Sequence, residues 1–319
     1  MITINNVSYR RSFYDRVMIK RFLPFLTHMA YAQKRDIPKN NSLTLLFRGY
    51  NSLDLVSDPL DEGITPTASA LSVTDLSATL QQYGAFVEYS DVVIDTVEDP
   101  FLSEVAQVIG ENAGQSLDAI TREVLVAGSN VQFASTATER AEVSAAMTLD
   151  LAEVREAVRT MKTNNVPKIT SLQRPNGNVD TVPGEACYIA FVHPNTTFDL
   201  KADPDFIPRQ NYPSNDTIAG EVGRMDEVRF IESTFATPFD GEGAAGVDVY
   251  ATLIIGADSY GVCRVTGKDL EMIIHNPGSS GAADPLNQRG THAWKTFFTA
   301  KILRPLGILR IEHGCSIDQ

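Results

Sequence analysis

The residues most able to do chemistry are few and poorly grouped. Gly241-Glu242-Gly243-Ala244-Ala245-Gly246 matches the spacing of a dinucleotide-binding loop. That chemistry needs a strand before the glycines and a helix N-terminus after them, so that the pyrophosphate meets free N–H groups. Here Thr237-Pro238-Phe239-Asp240 precedes, and a strand-like run from Val247 follows. A plain loop is the better reading. No phosphate loop of the G-x-x-x-x-G-K-[ST] type and no G-x-S-x-G nucleophile elbow occurs.

The five histidines, His28, His193, His275, His292 and His313, are scattered, and none pairs at i, i+4 for a metal. His193, beside Pro194 at a strand end, is the one catalytic candidate; a structural histidine is the ordinary reading. Asp203-Pro204-Asp205 could attract a cation, although an exposed turn is the ordinary reading. Cys187, Cys263 and Cys315 are too widely spaced for a disulfide framework or a metal knuckle, which suits a reducing compartment. No nucleophile, metal set, cofactor site or phosphate cradle emerges. For 319 residues, this favours a structural or binding role over catalysis.

The elements that would position such residues centre on one long helix. Asp99 is a good N-cap and Pro100 fits the first helical position. Leu102, Val105, Ile109, Ala113, Leu117, Ile120 and Val124 then draw one apolar stripe. Glu104, Glu111, Asp118 and Glu123 are expected on the other side, and Gly128 supplies the stop. At 1.5 Å per residue the helix is about 40 Å long, a beam across a flat molecule. Gly110 and Gly114 inside it imply close approach of another backbone, or a hinge.

Before the helix, Ser12–Gln33 reads as amphipathic and Ile37–Asn41 as a turn. Ser42–Tyr50 and Leu71–Ile94 are extended arms flanking a polar tip, a long hairpin. After it, Thr148 is expected to cap a second helix over Leu149–Lys162. Ala186–His193 reads as a buried strand, Thr197–Ser214 as a surface excursion, and Val222–Thr234 and Val247–Ile255 as strands. Asp258–Val262 is a short turn or helix. Thr291–Glu312 closes the chain as a strand bent at Pro305 and Gly307.

Composition is that of a folded protein, 43% hydrophobic and 21% charged, which excludes disorder and collagen. No apolar run approaches the ~20 residues of a membrane span, and Met1–Arg11 carries no secretory signal pattern. The net charge of −13 is unevenly spread. Residues 1–48 hold nine Lys/Arg against Asp15 and Asp36, a balance of +7; residues 49–130 hold fourteen acids against Arg122, a balance of −13. Either both are solvated faces, or the basic arm lies on acidic surface of its own or a neighbouring copy. The acidic remainder argues against a general DNA-coating role, which needs Lys and Arg.

Several stretches carry a family resemblance: Phe13-Tyr14-Asp15-Arg16, Ile37-Pro38-Lys39-Asn40 leading to Phe47-Arg48, Gln82-Tyr83-Gly84, Tyr89-Ser90-Asp91, Thr121-Arg122, Leu125-Val126-Ala127-Gly128, Ala190-Phe191-Val192-His193-Pro194 and Ile255-Gly256-Ala257-Asp258-Ser259-Tyr260-Gly261. With the order of elements, they resemble the HK97-like major capsid proteins of tailed bacteriophages, nearest the subfamily typified by the enterobacterial podophage N-four. The resemblance implies an α+β fold with an N-terminal arm (1–48), an extended β-hairpin loop (49–94) and a peripheral domain with a spine helix (95–147). An axial α/β domain (148–285) and a return strand of the peripheral domain (286–319) complete it.

It also implies a structural protein, not an enzyme, that self-assembles as hexamers and pentamers into an icosahedral shell enclosing double-stranded DNA without sequence-specific binding. No cofactor, metal or membrane is expected. Scaffolding, portal and decoration proteins are candidate partners, and the location is the virion after assembly in the host cytoplasm. The alternative is an encapsulin-like nanocompartment shell. Intersubunit contacts are expected at Arg16, Lys20 and Arg21 of the arm and at Asp58, Asp61 and Glu62 of the hairpin tip.

Overall fold

The computed structural model describes residues 18, 26–50, 53, 55, 59, 63, 65, 68–96, 101–173, 181–211, 218–236, 238–267, 270–279 and 284–318. In chain order the strands and helices are β1 (Gln33–Ile37), β2 (Thr44–Tyr50), β3 (Val73–Thr79), β4 (Gln81–Ser90), α1 (Asp91–Thr96), α2 (Phe101–Val126), β5 (Val131–Phe133), α3 (Leu151–Thr163), β6 (Ile169–Gln173), β7 (Thr181–Val192), α4 (Pro194–Ala202), β8 (Ile207–Pro208), β9 (Glu221–Met225), β10 (Val228–Glu232), β11 (Tyr250–Ile255), β12 (Tyr260–Val265), β13 (Glu271–His275), β14 (Arg289–Ile302) and β15 (Ile308–His313).

The long helix is α2, and its buried residues include Ile109, Ala113, Leu117 and Leu125. The expected cap at Asp99-Pro100 lies outside the described residues. Gly110 answers the choice between close approach and hinge. A Cβ there would stand 2.6 Å from the Met18 carbonyl oxygen, so the arm backbone crosses the helix where a side chain would exclude it. Met18 packs there with Ala106, Ile109, Ala113, Met272 and Trp294.

Two sheets share this helix. The first runs β1-β12-β14-β13, with β4 also on β14; the second runs β5-β15-β11-β7-β10-β9-β8, with β6 on β7. The closing stretch is therefore two strands rather than one. β14 is the centre of the first sheet, a turn at Pro305–Gly307 redirects the chain, and β15 enters the second. Along β14, residues alternate between buried and part-exposed, with His292, Trp294, Thr296 and Phe298 inward. Trp294 Nε1 donates to Asn112 Oδ1 of α2 at 3.0 Å, fixing sheet to helix.

β2 and β3 form an antiparallel ribbon with Thr44 opposite Thr79 and Tyr50 opposite Val73. Phe47 and Ala78 are buried at its base with Ile37, Leu80 and Cys263. β4 does not continue this ribbon; it pairs with β14 over ten consecutive positions, Ser90 opposite Arg289 to Gln81 opposite Phe298.

Local expectations shift in four places. The α3 cap is Asp150, not Thr148: its side chain accepts from the Ala152 and Glu153 amides. Gln33–Ile37, unmarked by pattern because only Ile37 is buried, is an edge strand parallel to β12. Part of the expected surface excursion is helix α4, which buries Thr196, Thr197 and Leu200. Ser259 turns the chain, and Tyr260 onward is strand rather than helix.

Candidate functional site

The glycine-rich loop is a packing element. An isolated bridge from Phe239 to Val249 closes it, and a 3-10 turn over Ala244–Gly246 leads back to extended chain. The Ala244 amide donates to the Val143 carbonyl at 2.8 Å, while Glu242 forms an ion pair with Arg140. The next regular element after the glycines is strand β11, not a helix. His193 is the N-cap of α4, its Nδ1 accepting from the Asn195 amide at 3.2 Å, with its ring against Tyr250. Asp203 accepts from the Asp205 amide at 2.9 Å in an Asx turn. The three cysteines are buried and form no disulfide, and burial pushes the Cys263 thiol up to about 11. Among the described residues no group of three or more His, Cys, Asp or Glu could hold a metal, and no helix is long and apolar enough to cross a membrane.

His313 is fully buried between neutral partners. Its Nδ1 donates to the Gly314 carbonyl at 2.8 Å, and its Nε2 accepts from Thr252 Oγ1 at 2.9 Å. Burial lowers its pKa to about 4. Between that value and the unfolded value of about 6.5, the unfolded chain binds the extra proton, so stability rises with pH. The contribution is complete above about 6.5 and is lost as pH falls toward 4, on the order of 3 kcal/mol. Urea unfolding of the isolated subunit is expected to weaken steadily across that window. His313→Asn is expected to flatten the slope; an unchanged slope would assign the pH response elsewhere.

Two buried polar joints hold the pieces together. At the first, the His28 amide donates to Asp118 Oδ1 at 2.7 Å and His28 Nδ1 lies 2.6 Å from Asp118 Oδ2, both side chains fully buried. The Tyr260 hydroxyl donates to the His28 carbonyl, and the His28 ring lies 4.6 Å from Phe191 of β7. Burial holds the Tyr260 phenol well above its usual pKa, so it stays a donor. Asp118 was expected on the solvent side of the helix. It is instead the point where the arm, α2 and both sheets meet. At the second joint, Arg140 makes a two-pronged pair with Glu312, both contacts 2.8 Å, and the Arg310 Nε lies 2.8 Å from the same carboxylate. Arg310 also donates to the Val126 carbonyl at the end of α2, and both guanidinium groups stack over Phe239. Neither joint was singled out by the sequence, because the central pair lies 90 positions apart in the first and 172 in the second.

The exposed surface is the part suited to partners. Arg16, Lys20, Arg21, Asp58, Asp61 and Glu62 all lie outside the described residues. Of the flanking charge, Arg48 pairs with Asp75 across the ribbon at 2.9 Å, so part of the arm-to-acid attraction is realised within one chain. Large apolar side chains concentrate on the ribbon and beyond its strands: Leu43, Leu46, Tyr50, Leu53, Leu71 and Val73 are exposed, and Leu55 is 98% exposed. A second group, Phe86, Val87, Val92 and Ile94, lies on β4 and α1. Lone exposed apolar residues are common, but two such concentrations suit association.

A family model described as "Phage capsid protein" matches residues 73–311. The chain belongs to this family. As a phage capsid protein it is a structural component of the shell, not an enzyme. No curated protein sequence gives a significant match. Among solved structures, the fold is similar to the capsid of Ralstonia phage GP4, with TM-score 0.70, 13% identity, and coverage of 89% of this chain and 87% of that one. It is similar also to the cyanophage Pam1 capsid asymmetric unit, with TM-score 0.62, 17% identity and coverage of 93% and 92%. The head structure of Helicobacter pylori bacteriophage KHP40 matches with TM-score 0.65, 12% identity and coverage of 90% and 88%. At such identities the likeness concerns the fold, and the capsid protein shares it over nearly its whole length.

Proposed function

We propose that this chain is the major capsid protein of a tailed phage with an HK97-like fold, related most nearly to the podophages typified by N-four. It assembles as hexamers and pentamers into an icosahedral shell that encloses double-stranded DNA, and is built into the virion in the host cytoplasm. The observation that carries this reading is the fold shared with assembled phage capsids along about nine-tenths of the chain, together with the two groups of exposed apolar side chains. Nothing favours the nanocompartment alternative. Residues 1–48 then act as the arm, 49–94 as the extended loop, 95–147 and 286–319 as the peripheral domain, and 148–285 as the axial domain. Scaffolding, portal and decoration proteins are the partners such a shell would use.

In this reading the arm straps acidic surface from residues 49–130 of an adjacent subunit. Arg16, Lys20 and Arg21 serve one side; Asp58, Asp61 and Glu62 are acids available on the other. Each contact is weak, and repetition around a closed shell supplies the strength. Exposed charges are screened within about 10 Å at 0.1 M salt, so assembly should be salt-sensitive. Electron microscopy of the purified protein is expected to show closed shells. Reversing Arg16, Lys20 and Arg21 to Glu is expected to reduce shell yield with the subunit still folded by circular dichroism. Normal shells from that variant would remove the strap, and a monomer that never closes into cages would remove the whole reading.

A further inference from the structure

A cleft of about 510 Å³ opens where the ribbon leaves the body of the molecule. Its position follows from the pairing. Residues 33, 35 and 37 of β1 alternate onto one face, and Ile37 is buried with Phe47 and Ala78 at the ribbon base. Two and four residues back along β1 that core gives way to open space, lined by Arg35 and Gln33. Leu45, Phe47 and Gly49 of β2, with Leu76 of β3, line the ribbon side. Asp258, in the turn between β11 and β12, and Leu303-Arg304-Pro305, after β14, form the rest of the wall. Gly49 leaves room: a Cβ there would meet only the Thr74 carbonyl oxygen, at 3.8 Å.

The charge in this cleft is unbalanced. Arg48 is already matched, by Asp75 across the ribbon. Arg304 Nη2 donates to the Asn164 and Asn165 carbonyls at 2.8 and 3.0 Å, which fixes the guanidinium without neutralising it. The Arg35 guanidinium has no partner among the described residues. Asp258 is the one acid on the wall, and it pairs with neither. With Arg48 neutralised, two guanidinium groups stand against one carboxylate. A single positive charge is left over, above an apolar lining of leucine, phenylalanine and proline.

We propose that this cleft binds a small amphiphilic monoanion, a carboxylate or sulfonate carried on an apolar body. Such a site goes beyond the shell reading and does not depend on it. The volume is that of small-molecule sites, which combine an apolar lining with a few placed polar groups. One anionic group between Arg35 and Arg304 completes the charge and takes charge-assisted hydrogen bonds from both. The apolar body lies against Leu45, Phe47 and Leu303. The charge count selects against the acidic stretch of a second copy as occupant. Asp54, Asp58, Asp61 and Glu62 would bring four carboxylates towards Asp258, and like charges set together are costly. Because one wall belongs to the ribbon and the other to the body, the occupant braces the ribbon at one angle.

The test uses the full-length subunit and anilinonaphthalene sulfonate, a fluorescent amphiphilic monoanion. Saturable binding is expected, with slower amide exchange confined to residues 44–50 and 73–79, the two strands of the ribbon. Octanoate is expected to displace the probe at concentrations where octanol does not. Arg35→Ala is expected to weaken binding about tenfold through loss of a charge-assisted contact, with the melting temperature unchanged. Gly49→Leu fills the cleft and is expected to abolish binding in a subunit still folded by circular dichroism. Protection at residues 86–94 instead would place the probe on the exposed apolar side chains of β4 and α1. Displacement by an acidic, leucine-bearing pentapeptide more readily than by octanoate would assign the cleft to a protein chain. Either result overturns the proposal, as does no binding, or undiminished binding by both variants.

Discussion

Asp118→Ala is expected to destabilise the isolated subunit by about 3 kcal/mol, since removing a buried acceptor that serves two donors leaves both unsatisfied. The carboxylate serves two donors at once, the His28 amide at 2.7 Å and the His28 ring at 2.6 Å. Both sites are without solvent access. Alanine therefore strands two polar groups in the interior, each worth on the order of 1–3 kcal/mol of desolvation. The damage also spreads. The same His28 carbonyl accepts from Tyr260, and the ring lies against Phe191, so releasing His28 loosens the arm from both sheets. Asp118→Asn separates charge from geometry. It keeps an acceptor for the amide and is expected to cost about half as much or less. Urea unfolding of Asp118→Ala, of His28→Ala and of the variant carrying both completes a double-mutant cycle. Additive losses would mean that the pair contributes nothing as a pair.

The long helix was readable because its signals agree: apolar steps of three and four, a terminal glycine and no internal proline. The ribbon was readable by alternation, and Ala186–His193 by its unbroken apolar run. The misses have a common physical origin. Asp118 follows the helical period of Glu104 and Glu111, and an amphipathic reading sends every carboxylate to water. Only a partner ninety positions away changes its side. β1 exposes most of its side chains because it is an edge, so it has no pattern to read. α4 buries two threonines and one leucine, too polar a face to suggest a helix. The turn at Pro305–Gly307 was visible, but not that the chain changes sheet there, because which sheet a strand joins is decided by tertiary pairing. The exposure of Phe86 and Val87 on β4 was equally hidden. Phe86 and Val87 read as strand residues, and their exposure appears only once their neighbours are known.

Glu312→Ala is the second large effect, again about 3 kcal/mol or more, and it concerns how the long helix is fixed to the second sheet. Glu312 is 1% exposed and lies between two guanidinium groups. Arg310 is pushed down by burial, with Glu312 acting in the opposite sense and Arg140 adding to the fall. Without the carboxylate, two cations share one apolar platform, the Phe239 ring. Arg140 keeps Glu242, but that pair is more exposed and supports little by itself; Glu242→Ala is expected to cost less than about 1 kcal/mol. Arg310 has no comparable refuge. Its guanidinium donates to the Val126 carbonyl that ends α2, and its amide donates to the Asn130 carbonyl at 3.0 Å, so displacing it frees the helix end and the start of β5 together. Hydrogen exchange should register this locally. Amides over residues 124–133 are expected to exchange faster in Glu312→Ala than in Glu242→Ala, with the first half of α2 little changed. Uniform loss of protection would indicate a general fall in stability, while selective loss would identify Glu312 as the fastening of the helix end.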